Sequence, residues 1–386
     1  MKIKSIDSYI VGNPWKNWLF VRVETNDGLH GIGEGTLGHL NHSVQGAVED
    51  MRSFVTGMDP YDTELLVTRL SREIYGDGGQ IKMCAIAAVE MACWDIIGKA
   101  LGKPVYKLLG GGCHEKLRAY ANGWYRCDRT PEAFAERAQK VALMGYTALK
   151  FDPFGTTWRT LTPDEENLSV DIVGAVRAAV GPKVDLMIEA HSRFGVATAI
   201  HLAERLAQFH PAWLEEPVPH HNIEATIEVA RRSPIPIASG ESLSSKHAVA
   251  ELVRYGVVQI VQIEPIHVGG ILASRKIADM VDAHYGVIAP HSAASPVATM
   301  ACIHIDAATP NFYIQEYFHD FNVPWERDLV MHSPICENGY ISLPQRPGLG
   351  IDINMEELRK HPYSPTEINL FEFDWHKRRE PSETRK

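Results

Sequence analysis

Short apolar runs recur at regular intervals through the second part of the chain, separated by amphipathic stretches. In order they are LRAYANGW, ALKFDP, DLMIEA, AWLEEP, PIASGE, IVQIEP, GVIAPH and FYIQEY, eight in all. The stretches between them, such as PEAFAERAQKVALMGY, ATAIHLAERLAQF and SKHAVAELVRYG, place apolar residues at helical spacing. Strand and helix in alternation predict a parallel sheet, and eight repeats predict a closed β/α barrel over residues 113–329. Residues 1–112 read differently. Two strand-like runs, IKSIDSYIV and WLFVRVETNDG, precede LHGIGEG, with Asn26-Asp27-Gly28 as the turn. From Ser43 to Leu109 the pattern is helical, with AIAAVEMACWDIIGKAL stopped by Gly102-Lys103-Pro104. An α+β first domain is therefore expected to end near Gly110-Gly111-Gly112. Residues 330–386 are rich in Pro and Gly (SLPQRPGLGIDI), hold no further β/α unit, and are expected to pack back on the first domain.

Three of the strand-like runs close on an acid: Glu189, Glu215 and Glu241, each 26 residues from the next. A lone glutamate at a strand end commonly caps a helix or faces solvent. Three in register at the converging mouth of a barrel offer hard anionic oxygens suited to a divalent cation such as Mg2+. Residues two apart on a strand share a face, so His191 is expected beside Glu189. Lys150 and Asp152 share a face of the second strand in the same way. Glu264 and His291 end adjacent strands, where a carboxylate can orient an imidazole and raise its basicity. Glu216, directly after Glu215, is expected to turn toward the barrel's helices in a structural role.

Composition narrows the partners. The net charge is −10, and the short charged tail KRREPSETRK is the one basic block, so the overall field repels nucleic acid and anionic membranes. An anionic substrate would need local positive charge. With 45% apolar and 22% charged residues the chain reads as an ordinary globular protein, and no apolar run approaches the ~20 residues of a membrane span. The opening MKIKSIDSYIVGNPW lacks the pattern of a secretory leader, and the six cysteines are scattered without a CxxC pair. Reduced cysteines in a cytoplasmic protein are the expectation.

The segments WDIIGKALGKPVYKLLGG, IEPIHVGGI and APHSAASPVA, taken with the three glutamate strand ends, resemble the enolase superfamily in its mandelate racemase branch over nearly the full length. YANGWY followed by ALKFDPFG resembles, within that branch, the acid-sugar dehydratases acting on aldonates such as galactonate, gluconate and arabinonate. The resemblance implies a modified (β/α)8 barrel with an α+β N-terminal capping domain. It implies Mg2+ on Glu189, Glu215 and Glu241, the first being Glu where many relatives have Asp. It makes His191 the base for the C2 proton and His291, paired with Glu264 where the family has Asp, the donor to the departing C3 hydroxyl. Glu316 corresponds to an acid that hydrogen-bonds the substrate carboxylate, for which a buried, protonated side chain is expected.

Many relatives carry Lys-x-Lys on strand two, and here Asp152 replaces the second lysine, which argues against a lysine-based racemase. Lys150, Asp152 and Arg193 are expected to face the substrate, with Lys150 alternatively pairing a ligand carboxylate. His39, His42, Trp15 and Trp18 are placed where relatives cap the site from the first domain. The expected function is a Mg2+-dependent lyase, a hydro-lyase turning an aldonate into a 2-keto-3-deoxy acid. A racemase or epimerase using the same proton abstraction, or a non-catalytic sugar-acid-binding barrel, are the alternatives. The expected partners are a small-molecule sugar acid and further copies of the chain in a homo-oligomer.

Overall fold

The computed structural model describes residues 1–365 and 369–372; the tail KRREPSETRK lies outside the described residues. β1 (Ile3–Val11), β2 (Trp18–Thr25) and β3 (His30–Glu34) form an antiparallel meander. Helices α1 (Asn41–Val55), α2 (Thr63–Glu73) and α3 (Gly79–Leu101) pack on it. Strand β3 lies directly on α3. A Cβ at Gly33 would sit 1.9 Å from the carbonyl oxygen of Ala88, so the glycines of HGIGEG let backbone meet backbone. Helix α3 ends at Gly102 in the left-handed conformation, and a short α4 (Val105–Leu108) leads to the barrel.

The barrel strands are β4 (Lys116–Ala121), β5 (Ala148–Phe151), β6 (Asp185–Glu189), β7 (Trp213–Glu215), β8 (Ile237–Ser239), β9 (Ile260–Val261), β10 (Val287–Ile288) and β11 (Gln315–Tyr317). They pair in parallel in that order, β11 returns to β4, and a bridge from Ile288 to Phe312 closes the ring. The connecting helices are α5 (Pro131–Leu143), α6 (Pro163–Val180), α7 (Val196–Leu206), α8 (Ile223–Arg232), α9 (Lys246–Val253), α10 (Pro265–Val268), α11 (Ile271–Asp282) and α12 (Pro296–Ala307). Several start as their sequences dictate, with Thr130, Thr162, Asn222, Ser245 and Ser295 as side-chain N-caps.

One buried residue from each strand or its immediate flank fills the barrel axis: Tyr120, Ala148, Met187, Trp213, Ala238, Ile260, Ala289 and Ile314. Large and small side chains interlock, and Trp213 meets Tyr120 edge-on at 5.7 Å. The axis is plugged by this layer, so polar residues one step further along the strands are confined to the C-terminal mouth.

Beyond β11 come α13 (Glu326–Leu329), β12 (Val330–Met331), β13 (Cys336–Glu337), β14 (Tyr340–Ser342), β15 (Asp352–Ile353) and α14 (Met355–Leu358). The β13–β14 hairpin adds antiparallel to barrel strand β4, while Leu349 N donates to Asp95 of α3 at 2.8 Å and Asp352 meets His30 at 2.8 Å. This segment thus touches both the barrel and the first domain. Among the described residues no helix is long and apolar enough to cross a membrane.

Candidate active site

At the mouth, Glu189 and Glu215 are the last residues of β6 and β7, and Glu241 lies two residues past β8. One carboxylate oxygen from each falls within 4.8 Å of the others. Burial, and then the neighbouring Glu215, pushes Glu189 well above the usual carboxylate range; burial likewise lifts Glu241 to about 7. Burial raises Glu215, but Lys150 and a hydrogen bond with Glu189 together hold it below its ordinary value. This donor set fits a hard divalent cation: three closely set anionic oxygens whose mutual repulsion a doubly positive ion would relieve. The acidic triad can therefore hold a metal.

Lys150 sits beneath the triad, 1% exposed. Its Nζ lies 2.5 Å from Glu215, 2.8 Å from Glu316 and 3.6 Å from Glu189. These carboxylates raise its pKa well above the ordinary lysine value despite burial, so it stays charged. The lysine faces ligand carboxylates rather than open space. Glu316 corrects a further expectation. It accepts from Asn122 Nδ2 at 2.8 Å and from the backbone of Ser292 at 2.7 Å, besides Lys150. Burial opposes its charge, but Lys150 and His291 bring its pKa down to about 2. It is a carboxylate with no proton to donate.

The two histidines flank this cluster, each held by a carboxylate of its own. His291 Nδ1 lies 2.7 Å from Glu264 Oε2, while its Nε2 is 3.3 Å from Glu241 and 3.8 Å from Glu316. Burial works against its charge, but Glu241, Glu316 and Glu264 together lift its pKa to about 9. His191 Nδ1 lies 2.6 Å from Asp152 Oδ2, and burial depresses its pKa despite that partner. A carboxylate only accepts, so Asp152 fixes the proton on Nδ1 and leaves the lone pair on Nε2.

Asp152 and Arg193 are turned to the protein rather than to the mouth. The same Asp152 oxygen accepts from the fully buried Arg193, which also donates to the carbonyls of Gly155 and Ala190. Asp152 keeps its charge below the usual range because Arg193 and His191 outweigh burial. Strand alternation is not what places His191: the strand stops at Glu189, and His191 and Ser192 adopt φ of 46° and 56°. This left-handed turn brings the His191 amide onto Glu189 Oε1 at 2.6 Å. Glu216 accepts from Ser192, Ser239 and Gly240 and so ties neighbouring strand ends together.

Of the first-domain aromatics, Trp15 reaches the mouth, stacked on Phe318 at 5.5 Å and donating to Asn322 at 3.1 Å. Trp18 is buried against Phe20 and Trp325, and His42 packs on Tyr363. His39 is exposed. Asn122 and Ser292 escaped the sequence reading. Asn122 had a signal, since it lies one residue past β4 in the register that puts Lys150 and Glu189 at the mouth.

Residues 14–110 match the mandelate racemase/muconate lactonizing enzyme N-terminal domain, and residues 133–358 match the enolase C-terminal domain-like family. A D-gluconate/D-galactonate dehydratase of Picrophilus torridus is 36% identical over 97% of both chains. A D-xylonate dehydratase of Haloferax volcanii is 34% identical over 89% of this chain and 85% of its own length. The crystal structure of a mandelate racemase/muconate lactonizing enzyme from a Sulfitobacter species superposes with a TM-score of 0.89 at 33% identity, covering 94% of this chain and 96% of that one. A capping α+β domain, a modified β/α barrel and an acidic triad at its mouth accord with these matches: the chain belongs to the mandelate racemase/muconate lactonizing enzyme family of the enolase superfamily.

Proposed function

We propose that this protein, an enzyme of the lyase class, is a Mg2+-dependent dehydratase of aldonates such as gluconate, galactonate or xylonate. The observation that carries this reading is the pair of histidines beside the acidic triad, each hydrogen-bonded through Nδ1 to its own carboxylate, His191 to Asp152 and His291 to Glu264. A single site thereby offers a base and an acid at neutral pH, which elimination of water requires. Relatives named for D-gluconate, D-galactonate and D-xylonate supply the substrate class.

Mg2+ held by Glu189, Glu215 and Glu241 would take the substrate carboxylate and offset the negative charge that grows there as the α proton leaves. His191 Nε2 accepts the C2 proton. The electron pair of that bond is first held on the substrate carboxylate as an enediolate, which His191 can reprotonate; it then becomes the C2–C3 double bond as the C3–O bond breaks, and the proton of His291 Nε2 goes to the departing hydroxyl, which leaves as water. The enol released tautomerises to the 2-keto-3-deoxy acid. Lys150 keeps Glu215 ionised against the opposing charge of Glu316, with which it also pairs. Asp152 holds the tautomer of His191, and Arg193 holds Asp152.

Deuterium exchange separates the roles. In deuterated water with D-gluconate and D-galactonate, His291→Asn is expected to stop dehydration while still washing deuterium into C2, and His191→Asn to stop both. Exchange that survives in His191→Asn and vanishes in His291→Asn would exchange the two assignments. Deuterium incorporation with configuration change and without water loss in the parent enzyme would favour an epimerase.

A further inference from the structure

Glu264 caps the one-turn helix α10 after β9, and the helix that follows it, α11, like α12 after His291, has its first turn held by a buried carboxylate of the other domain. Glu90, on α3, accepts from the backbone amides of Ile271 and Leu272 at 2.8 and 2.9 Å, at the start of α11. Its Oε1 also takes the Trp94 indole at 2.8 Å. Glu34, the last residue of β3, accepts from Ser295 N at 3.1 Å, Ser295 Oγ at 2.5 Å and Ala298 N at 2.9 Å, at the start of α12, and from Thr36 at 2.6 Å. Both are 0% exposed.

We propose that Glu34 and Glu90 are positioning residues for the Glu264–His291 pair, setting the two strand-to-helix connections from the capping domain. Helix N-termini carry unpaired amides and positive potential, so a carboxylate there is a strong fixed point. Little slack remains between fixed point and site. Glu264 is six residues from Gly270, whose amide returns to Pro265 O at 2.9 Å, and a Cβ at Gly270 would lie 2.1 Å from Glu90 Oε2. His291 is four residues from Ser295. Between them Ser292 N is bonded to Glu316, and Ala293 O accepts from Lys16 of the capping domain at 2.9 Å. Two connections anchored on one rigid domain keep the carboxylate and the imidazole in register; anchored separately, they could drift apart.

The proposal rests on the assignment of His291 as the acid, and the experiment keeps the two apart. Full-length Glu90→Gln and Glu34→Gln are compared with His291→Asn, using Mg2+ with D-gluconate and D-galactonate in deuterated water. The expectation is a dehydration kcat lowered about 10- to 100-fold, the range typical of lost supporting partners, with KM little changed and C2 exchange retained. The metal-free proteins are examined by 15N-histidine NMR, where the His291 Nδ1 proton should lose the downfield shift of its bond to Glu264. Parent-like dehydration and an unmoved Nδ1 resonance overturn the proposal, as does exchange falling in step with dehydration, the mark of a general loss of structure. Should a glutamine variant fail to fold, Glu90→Asp and Glu34→Asp retain both acceptor oxygens on a shorter arm, and the same exchange-to-dehydration ratio is read. Continued dehydration by His291→Asn instead removes the acid assignment, whatever the glutamate variants do.

Discussion

Lys150 Nζ and Glu215 Oε1 lie 2.5 Å apart inside the barrel, both essentially without solvent. Among the described residues, the lysine supplies the one buried ammonium against Glu189, Glu215 and Glu316. Lys150→Met should therefore destabilise the metal-free protein by about 3–5 kcal/mol, the usual cost of stranding one partner of a buried pair. Urea unfolding of metal-free parent and variant tests this, and equal midpoints would contradict it.

Glu241→Gln should weaken Mg2+ binding and turnover together, since it removes one of three anionic oxygens from a hard-cation site. Calorimetric titration with Mg2+ gives the affinity directly. An unchanged affinity would remove Glu241 from the ligand set.

Asp152→Asn is nearly isosteric but can present an amide N–H to His191 Nδ1, favouring the tautomer with its proton on Nε2. Deuterium exchange at C2 should fall about 10²–10⁴-fold, as when a general base is lost. Exchange at the parent rate would mean that Asp152 does not hold the tautomer.

Away from the mouth, His304 Nδ1 accepts from Tyr106 N and its Nε2 bonds Leu349 O, both at 3.1 Å. Burial lowers its pKa from 6.5 to about 4. Between these values the unfolded chain binds a proton that the folded chain refuses, so stability is full above about 6.5 and declines as pH falls toward 4. The loss approaches about 3 kcal/mol. In urea unfolding, His304→Gln should show a smaller drop between pH 7 and pH 5 than the parent; identical drops would contradict the assignment.

The barrel was legible because its strands are short, apolar and evenly spaced, and the 26-residue interval of the glutamates marks three successive strand ends. The Glu264–His291 bond followed from adjacency of strands. His191 was identified for an incomplete reason. Its position depends on two residues at positive φ and on Asp152 from a neighbouring strand, neither of which alternation encodes. The charge on Glu316 was hidden for a related reason, since burial alone predicts a proton and the contacts with Lys150, His291 and the Ser292 amide reverse the sign. Arg193, read as a residue facing substrate, is fully buried against Asp152, for which it supplies the cationic partner.

The notch at Gly270, filled by Glu90, bears on recombination among relatives. A barrel transplanted beneath a foreign capping domain must find an acid at that point on the incoming helix, or be left with bare helix amides in a dry interface. The reverse graft meets a harder obstacle, because any side chain at residue 270 would collide with the acid before the halves could seat. Breakpoints for chimeras are therefore better chosen so that Glu34, Glu90, Gly270 and Ser295 travel from the same parent.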